Sequence, residues 1–488
     1  MNPQKRPNVL LITVDQWPGS LMGCAGHPVV MTPTLDQLAA NGVRFANAYS
    51  ECPVCIPARR TLMTSLSPAS HGCRDNGHKP MPPVPTLAQS FRDAGYQAYA
   101  VGKMHLQNQR DRAGFDDIWV DEEGRGTGGI MQDDYELFLG DHGFPGQRFA
   151  GGMSNNQYCW RPWHLPENMH VTNWTAAWMS RMIKRRDKTK PGFWYLSFSH
   201  PHPPLAPLQA YLDMYRDKTP PEPYIGAWAR LDENTPVRVA ERIHQKLAPP
   251  PHQIPDVLRA YYAQCTHIDH QIRTVIGALR DERIMNNTVI MFASDHGDML
   301  GNHNYWAKDM MNEDSVGVPM ILCGAPIHEK TSDHRVDQRL AGLADVMPTL
   351  LDAAGLPIPE HCEGQSLLRE TEREHIFCEF VYDKKANLMV RDARYKLIYL
   401  SPANQRLLFD MQEDPCELRN LAGKPELKEI QQRLEQTLIA CMAPEQREAW
   451  VTDGQLTGSP AGDPPKPVPS FSLGNQRGTQ WPPPPSRA

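Results

Sequence analysis

The 488-residue sequence lacks a long hydrophobic run and a surplus of positive charge. No apolar run reaches the roughly 20 residues that a membrane-spanning helix needs. The formal net charge of -6 argues against broad binding to nucleic acid or to an anionic membrane. A secretory leader is not recognisable either, because residues 1–7 lead directly into a strand pattern. We therefore expect a cytoplasmic protein that binds neither nucleic acid nor membranes.

The eleven cysteines do not show the spacing of a disulfide framework. They are scattered and odd in number, which favours reduced thiols in the cytoplasm. Cys52 and Cys55 form a close pair, but a zinc knuckle would require a second Cys or His pair at suitable spacing. A thioredoxin-like redox motif would not be followed by Pro57 and Arg59. We favour Cys55 as a nucleophile and Cys52 as a structural thiol.

Short apolar runs that stop at reactive polar residues are the main pattern of the chain. Because these runs show no polar alternation, they are typical of strands covered on both faces, as in a parallel sheet. Helical segments lie between them, so we expect an α/β fold. Ligands bind beyond the carboxyl ends of strands in such sheets. Four runs are followed by candidate site residues, namely Asp15 and Gln16, Lys103 and His105, His200 and His202, and Asp295 and His296.

Two features suggest what this edge of the sheet binds. Pro57 suits the first turn of a helix, so Cys55 should lie where backbone N–H groups face an anion such as sulfate or phosphate. Asp15, Asp295 and His296 are ligand types for a hard divalent cation, with Gln16 as a further candidate. A single Asp or His after a strand is usually a cap or turn residue, but four such strand ends together favour a site.

Helix boundaries are also readable from local signals. Thr32 followed by Pro33 predicts an N-cap and a first helical position, and Thr86 predicts another N-cap. The second of these helices is predicted to end at Gly95. Near the C-terminus, short apolar runs between residues 376 and 400 predict strands, and residues 425–441 predict a helix.

The segment Cys55-Ile56-Pro57-Ala58-Arg59 resembles the Cys-x-Pro-x-Arg motif of the sulfatase family, which belongs to the alkaline-phosphatase-like superfamily. The resemblance extends from about residue 7 to residue 422. It implies a mixed, mostly parallel sheet sandwiched by helices and a smaller C-terminal α+β domain. We accordingly predict a catalytic domain over residues 1–370, a small antiparallel-sheet domain with one helix over residues 371–457, and a Pro-rich tail over residues 458–488.

One position departs from the commonest sulfatase pattern. Many sulfatases have two acidic residues where this chain has Asp15 and Gln16, and the pair instead resembles the choline-sulfatase and phosphonate-monoester-hydrolase branch. Asn76 also falls where that branch has an active-site asparagine. With one carboxylate fewer, both Ca²⁺ and Mn²⁺ stay open as the bound ion.

The resemblance implies that Cys55 is oxidised to Cα-formylglycine by a formylglycine-generating or sulfatase-maturing enzyme. One hydroxyl of the hydrated aldehyde would attack sulfur, and the second would lose its proton to expel sulfate. It further implies metal ligation by Asp15, Gln16, Asp295, His296 and the modified residue 55. The implied roles of the other residues are support of the diol by Arg59, binding of sulfate oxygens by Lys103 and Asn76, base catalysis of the elimination by His105, and protonation of the leaving alcohol by His202 with Lys308.

These implications predict hydrolysis of a small-molecule sulfate ester to an alcohol and inorganic sulfate. A phosphonate monoester or phosphodiester hydrolase on the same scaffold is an alternative, because tetrahedral anions of similar size fit the same site. A non-catalytic anion-binding homologue with an unmodified Cys55 is a second alternative. The Pro-rich tail is expected to be disordered, and an arm laid on a neighbouring subunit of a homo-oligomer is the other interpretation.

Overall fold

A computed structural model shows how the chain is arranged. It describes residues 6–77, 79–106, 108–123, 133–148, 151–153, 158–233, 235–244, 248–324, 327, 336–370, 373–382 and 384–461. Most of the predicted Pro-rich tail, from residue 462 onward, lies outside these residues. Within the described ranges, no helix combines the length and the apolar character needed to cross a bilayer.

An eight-stranded sheet forms the centre of the molecule. Its strands are β1 (Asn8–Asp15), β2 (Gly42–Tyr49), β3 (Gln97–Gly102), β4 (Asp117–Val120), β5 (Gly192–Pro201), β6 (Thr288–Ser294), β7 (Met320–Cys323) and β8 (Val336–Gly342). In space they follow the order β4-β3-β5-β1-β6-β7-β2-β8, and β7 runs antiparallel to both of its neighbours. The sheet is therefore mixed and mostly parallel, as expected.

Helices cover both faces of this sheet. The α-helices that accompany it are α1 (Pro33–Ala40), α2 (Cys55–Thr64), α3 (Leu87–Asp93), α4 (Asp134–Asp141), α5 (Val171–Arg185), α6 (Gln209–Asp213), α7 (Val237–His244), α8 (Ile254–Asp281), α9 (Glu313–Val316) and α10 (Val346–Ala353). In β1, Leu10 and Ile12 face a core shared with α5 and α8, while Val9 and Leu11 face a core shared with α2 and α10. Burial on both faces explains why β1 has no polar alternation.

A second sheet lies in the C-terminal part of the chain. Its four antiparallel strands are β9 (Ile376–Tyr382), β10 (Lys385–Arg391), β11 (Tyr395–Leu400) and β12 (Gln405–Asp410). They are followed by α11 (Lys428–Cys441), α12 (Pro444–Trp450) and a short hairpin of β13 (Val451–Thr452) and β14 (Gln455–Leu456). One face packs on Tyr49 and Val54 beside α2, and the other packs on Leu434 and Leu438 of α11. The expected C-terminal α+β unit is confirmed, whereas its boundary at residue 370 stays a prediction.

The predicted cap of α1 is wrong in its chemistry, although the helix begins at Pro33 as expected. The Thr32 side chain makes no cap hydrogen bond. Instead, both carboxylate oxygens of Asp269 in α8 accept from the backbone N–H groups of Thr34 and Leu35, at 3.0 and 2.8 Å. A residue 235 positions from Thr34 and 234 from Leu35 thus caps this helix, and a local sequence pattern cannot reveal such a contact. The Thr86 cap is confirmed, since its hydroxyl oxygen accepts from Gln89 N–H at 3.1 Å.

The order of the strands brings the predicted site residues together. Strands β3, β5, β1 and β6 are consecutive in the sheet and parallel to one another. Their carboxyl ends therefore meet at one edge, and a pair of candidate residues lies at or just beyond the end of each strand. Helix α2 begins at the same edge, as its first residue, Cys55, shows by contacting Asp15 at the end of β1 and His296 just beyond β6.

Candidate active site

The nucleophile candidate is the first residue of a buried helix. Helix α2 begins at Cys55, with Val54 in extended conformation as N-cap, and every residue of the helix is buried. Asn76 lies at the same helix end, where its side-chain oxygen accepts from the Ile56 N–H at 3.1 Å. The N–H end of the Asn76 amide is not used in that contact. Pro57 has no N–H, and the Ala58 N–H donates to the Val54 carbonyl oxygen at 3.2 Å. The expectation that several N–H groups at this helix end face an anion is therefore wrong, because the Ile56 N–H is already bound by Asn76.

Four potential metal ligands converge beside this helix end. One ligand atom each from Asp15, Cys55, Asp295 and His296 lies within 4.8 Å of all the others, and the four residues are buried. Cys55 Sγ lies 3.3 Å from His296 Nε2 and 3.8 Å from Asp15 Oδ1. His296 Nε2 lies 3.6 Å from Asp295 Oδ1. The predicted cluster of Asp15, Asp295 and His296 around Cys55 is therefore present in the structure.

The protonation of His296 shows why this cluster fits a cation. Its Nδ1 lies 3.0 Å from the Gly297 carbonyl oxygen, which can only accept, so Nδ1 holds a proton. In the neutral ring, Nε2 then presents a lone pair to the carboxylate oxygens of Asp15 and Asp295. Burial alone would lower the pKa of His296, but the negative charges of Asp295 and Cys55 outweigh it and raise that pKa. Either a proton or a metal ion relieves this crowding of acceptors.

The two carboxylates of the cluster differ in their surroundings. Burial and the neighbouring charge of Asp15 raise the pKa of Asp295 to about 6. Burial opposes the ionisation of Asp15 as well, but the charges of Lys103 and Lys308 hold its pKa well below the usual range. A bound divalent cation would favour the ionised form of both.

Three basic side chains surround the cluster. Arg59 is buried and donates from Nε to Asp295 Oδ2 at 2.9 Å and from Nη2 to Asp15 Oδ2 at 3.2 Å. Lys103 Nζ lies 2.6 Å from Asp15 Oδ2 and 3.9 Å from Cys55 Sγ. Lys308 Nζ lies 3.1 Å from Cys55 Sγ. Burial and Asp15 raise the pKa of the Cys55 thiol, yet these lysines and His296 outweigh them and lower it well below its ordinary value.

Gln16 has an unusual backbone conformation, and both its backbone N–H and its side-chain oxygen contact site residues. Its φ is +70°, and its N–H donates to Asp295 Oδ1 at 3.1 Å. The side-chain oxygen accepts from Lys308 Nζ at 2.8 Å. Ligation of a metal by Gln16 stays a prediction. The side-chain oxygen of Gln16 contacts Lys308, which also contacts Cys55.

The two predicted catalytic histidines lie at the same edge of the sheet. His202 follows β5 and is buried, with Nδ1 2.7 Å from the Pro203 carbonyl oxygen and 3.5 Å from Glu123 Oε1. Burial lowers the pKa of His202 to about 3, so the ring is neutral near neutral pH. His105 follows β3, is half-buried and has a left-handed φ of +52°. Its backbone N–H donates to Glu122 Oε1 at 2.9 Å, which fixes the loop beyond β3.

Several residues that contact the site were not predicted from the sequence. Glu123 Oε2 accepts from Lys103 Nζ at 2.9 Å, and it follows the four-residue strand β4, which is too short to be recognised. Ser197 Oγ accepts from Arg59 Nη1 at 2.8 Å from the interior of β5. Asp298 contacts Gln16 and lies two residues beyond His296, in a loop whose course depends on the rest of the fold. The three acidic residues directly after β4, Asp121, Glu122 and Glu123, were the one available signal.

Comparison with known proteins identifies the group to which these features belong. A sequence model of the family described as "Sulfatase" matches residues 7–356, and one described as "N-sulphoglucosamine sulphohydrolase, C-terminal" matches residues 301–443. An arylsulfatase of Clostridium perfringens is 35% identical over 480 residues, covering 93% of this chain and 98% of that protein. A choline-sulfatase of Rhizobium meliloti is 29% identical over 445 residues, covering 86% and 83%.

Solved structures show the same fold. The crystal structure of a phosphonate monoester hydrolase of Agrobacterium radiobacter superposes with a TM-score of 0.77, covering 93% of this chain and all of that one, at 23% identity. At that level of identity the likeness concerns the arrangement of strands and helices. It confirms the expected alkaline-phosphatase-like architecture.

Proposed function

The chain belongs to the sulfatase family, and we propose that it hydrolyses a small-molecule sulfate ester with residue 55, converted from Cys to Cα-formylglycine, as the nucleophile. The observation that supports this most is the position of Cys55 at the start of α2, in contact with His296, Lys103 and Lys308. A sulfate ester is an anion that repels nucleophiles. Its hydrolysis needs positive groups and a nucleophile at one place, which is what these contacts supply.

The donor set fits a hard divalent cation. Asp15 and Asp295 offer carboxylate oxygens, His296 offers Nε2, and Gln16 offers an uncharged oxygen. Ca²⁺ and Mn²⁺ both bind such oxygen-rich sets. A cation bound here would neutralise sulfate oxygens and lower the pKa of a hydroxyl on residue 55. Arg59 holds both carboxylates by hydrogen bonds on their other oxygens, which orients them for this purpose.

The lysines and Asn76 are suited to hold the sulfate group. Lys103 lies at the buried end of the site, whereas the Lys308 side chain is 13% exposed. We propose that the sulfate oxygens lie against Lys103 and the NH₂ group of Asn76, beside the N-terminus of α2. The alcohol part would then lie on the side of Lys308, where the site is open.

Proton transfer to the leaving alcohol is assigned to Lys308 together with His202. His202 Nδ1 lies against the Pro203 carbonyl oxygen, so in the neutral ring its Nε2 accepts a proton and does not donate one. This favours the Lys308 ammonium as the direct donor, with His202 assisting. His105 is proposed as the base that releases sulfate. A positioned acid or base typically contributes about 10²- to 10⁴-fold in rate.

The experiment that tests this function compares esters of matched alcohols. The full chain, co-expressed with a formylglycine-generating or sulfatase-maturing enzyme, is assayed with 4-nitrophenyl sulfate, 4-nitrophenyl phenylphosphonate and a 4-nitrophenyl phosphodiester. We expect the sulfate ester to have the highest kcat/KM and Cys55→Ala to be inactive. Faster turnover of the phosphonate by orders of magnitude would favour the alternative hydrolase, and no turnover of any ester would favour an anion-binding protein.

A further inference from the structure

One buried carboxylate beside the site accepts hydrogen bonds from four donors. Asp298 Oδ2 lies 2.7 Å from Gln16 Nε2 and 2.5 Å from the Tyr158 hydroxyl oxygen. Asp298 Oδ1 accepts from the backbone N–H groups of Leu300 and Ala307, at 3.0 and 3.1 Å. The side chain is inaccessible to solvent. Because both oxygens are occupied by donors, Asp298 is not itself available as a metal ligand.

The partners of Gln16 allow a single orientation of its amide. At one end is the carboxylate of Asp298, which accepts, so the amide NH₂ group must face it. At the other end is the ammonium of Lys308, which only donates, so the amide oxygen must face that side. Rotating the amide by half a turn would place NH₂ against an ammonium and an oxygen against a carboxylate. Both ends therefore select the same orientation.

Asp298 also restrains the backbone that leads to Lys308. Ala307 and Asp309, on either side of Lys308, have left-handed φ values of +68° and +76°. Residues with a Cβ rarely adopt this conformation, and neighbouring contacts must hold it. The Ala307 N–H donates to Asp298, and Arg242 Nη2 donates to the Lys308 carbonyl oxygen at 2.9 Å. One carboxylate thus contacts both Gln16 and the segment that bears its partner Lys308.

We propose that Asp298 is a positioning residue that turns the oxygen of Gln16 toward the cation site and holds Lys308 against that oxygen. The proposal rests on the proposed function, because it concerns the same cation and the same proton donor. An amide oxygen fixed in this way gives the site a neutral ligand where a second carboxylate would add negative charge. Without Asp298, only Lys308 would select this orientation, and the amide would present its NH₂ group, which repels a cation, more often.

Cation binding by the full-length protein tests this directly. Protein stripped with a chelator is titrated with Mn²⁺, followed by the paramagnetic resonance signal of free Mn²⁺, and with Ca²⁺ by calorimetry. In Asp298→Asn, the Asn oxygen must stay on the N–H groups of Leu300 and Ala307, so its NH₂ group meets the NH₂ group of Gln16. We expect the affinity for both ions to fall about 10- to 100-fold, the usual effect of losing a partner of a metal ligand.

A compensating variant separates positioning from general stabilisation. In Gln16→Glu combined with Asp298→Asn, one Glu oxygen accepts from the Asn NH₂ group and the other faces Lys308 and the cation. We expect this double variant to bind Mn²⁺ more tightly than Asp298→Asn alone. Because a carboxylate at position 16 could tighten binding by itself, Gln16→Glu is also measured alone. Positioning by Asp298 predicts a larger gain in affinity in the Asp298→Asn background than in the wild type, whereas a residue that only stabilised the fold would give equal gains.

Asp314→Asn is the matched control. Asp314 is also buried and accepts from Ser20, Tyr224 and Asn302, but none of these contacts Gln16. We expect it to lower stability without changing the affinity for Mn²⁺. The proposal is overturned if wild-type protein binds neither ion, if Asp298→Asn binds Mn²⁺ as tightly as wild type, or if the double variant is no tighter than Asp298→Asn. None of these readouts requires turnover, so they are independent of the ester assay.

Discussion

Lys308 Nζ lies 3.1 Å from Cys55 Sγ. Residue 55 is the expected attacking group, so the same amine is within reach of an ester bound there. Its side chain is 13% exposed, whereas that of Lys103 is inaccessible to solvent. This difference in exposure supports the proposal that Lys103 binds the sulfate group at the buried end of the site and that Lys308 faces the leaving alcohol.

Replacing Lys308 should affect esters according to their leaving group. Lys308→Ala removes the proposed proton donor, and an alkyl alcohol cannot leave without a proton. We expect kcat for an alkyl sulfate to fall about 10²- to 10⁴-fold and kcat for 4-nitrophenyl sulfate to fall much less. Steady-state kinetics on both esters measure the difference. Equal losses on the two would show that Lys308 binds the sulfate group and does not protonate the alcohol.

Stability should decrease in mild acid because of buried histidines such as His267. Burial, with the charges of His200 and His270, lowers the pKa of His267 to about 3, whereas an unfolded chain has an ordinary value of about 6.5. The folded state binds fewer protons than the unfolded chain, so the contribution of neutral His267 to the free energy of unfolding is fully present above about pH 6.5. This contribution declines by up to about 1.4 kcal/mol per pH unit as the pH falls toward 3.

His267→Gln provides the corresponding test. The glutamine retains a group that can donate to Asn173 but does not titrate. Urea unfolding at about pH 7 and about pH 5 should show a smaller loss of stability for the variant than for the wild type. An identical pH dependence would mean that His267 is protonated in the folded protein.

Removing divalent cations should destabilise the protein. Asp15, Asp295 and His296 face one another in a buried cluster, and an ion between them relieves the repulsion. At a concentration of Ca²⁺ or Mn²⁺ 100 times the Kd, binding raises the free energy of unfolding by about 2.7 kcal/mol. Thermal unfolding with and without chelator measures it, with Asp295→Asn as the variant that should lose the response. Unchanged unfolding of the wild type would contradict a metal site here.

The contact between the two sheets depends on a buried charge network. Lys396 in β11 is inaccessible to solvent, and its Nζ lies 3.0 Å from Glu313 Oε1 and 2.8 Å from Glu417 Oε1. Lys396→Met removes the ion-pair partner of Glu417 and leaves Glu313 with Arg391, whose Nη1 lies 3.3 Å from Glu313 Oε1. The buried Glu417 carboxylate then loses its cation, which should cost about 3–5 kcal/mol. The control is Lys184→Met, because Lys184 pairs with Asp281 on the surface and should lose at most about 1 kcal/mol. Equal effects in urea unfolding would show that the pairs of Lys396 are not formed.

Much of the site was predictable because its residues follow strands with an unmistakable pattern. The apolar run that became β1 ends at Asp15, and the run that became β6 ends just before Asp295 and His296. The rules of parallel sheets then place these ends at one edge, whereas the order of the strands was not predicted. Cys55 was recognisable from the Pro57 and Arg59 that follow it.

The remaining features depend on contacts between distant parts of the chain. Asp269 caps α1 from α8, and Arg59 is held by Ser197 in the middle of a strand. The strand β12 was not predicted as a strand, and β4 is too short to show a period. Asp298 acts through Gln16, and nothing in the order of residues links the two. Local pattern identifies which residue types meet, whereas tertiary packing decides how each is oriented.

The central claim concerns the chemical state of residue 55. Mass spectrometry of the tryptic peptide spanning residues 45–59, from a preparation that hydrolyses 4-nitrophenyl sulfate, measures it directly. We expect Cys55 to have lost H₂S and gained oxygen, to react with a hydrazine as an aldehyde, and Cys52 in the same peptide to keep its thiol. An active preparation in which residue 55 is uniformly an unmodified thiol would contradict the proposed nucleophile.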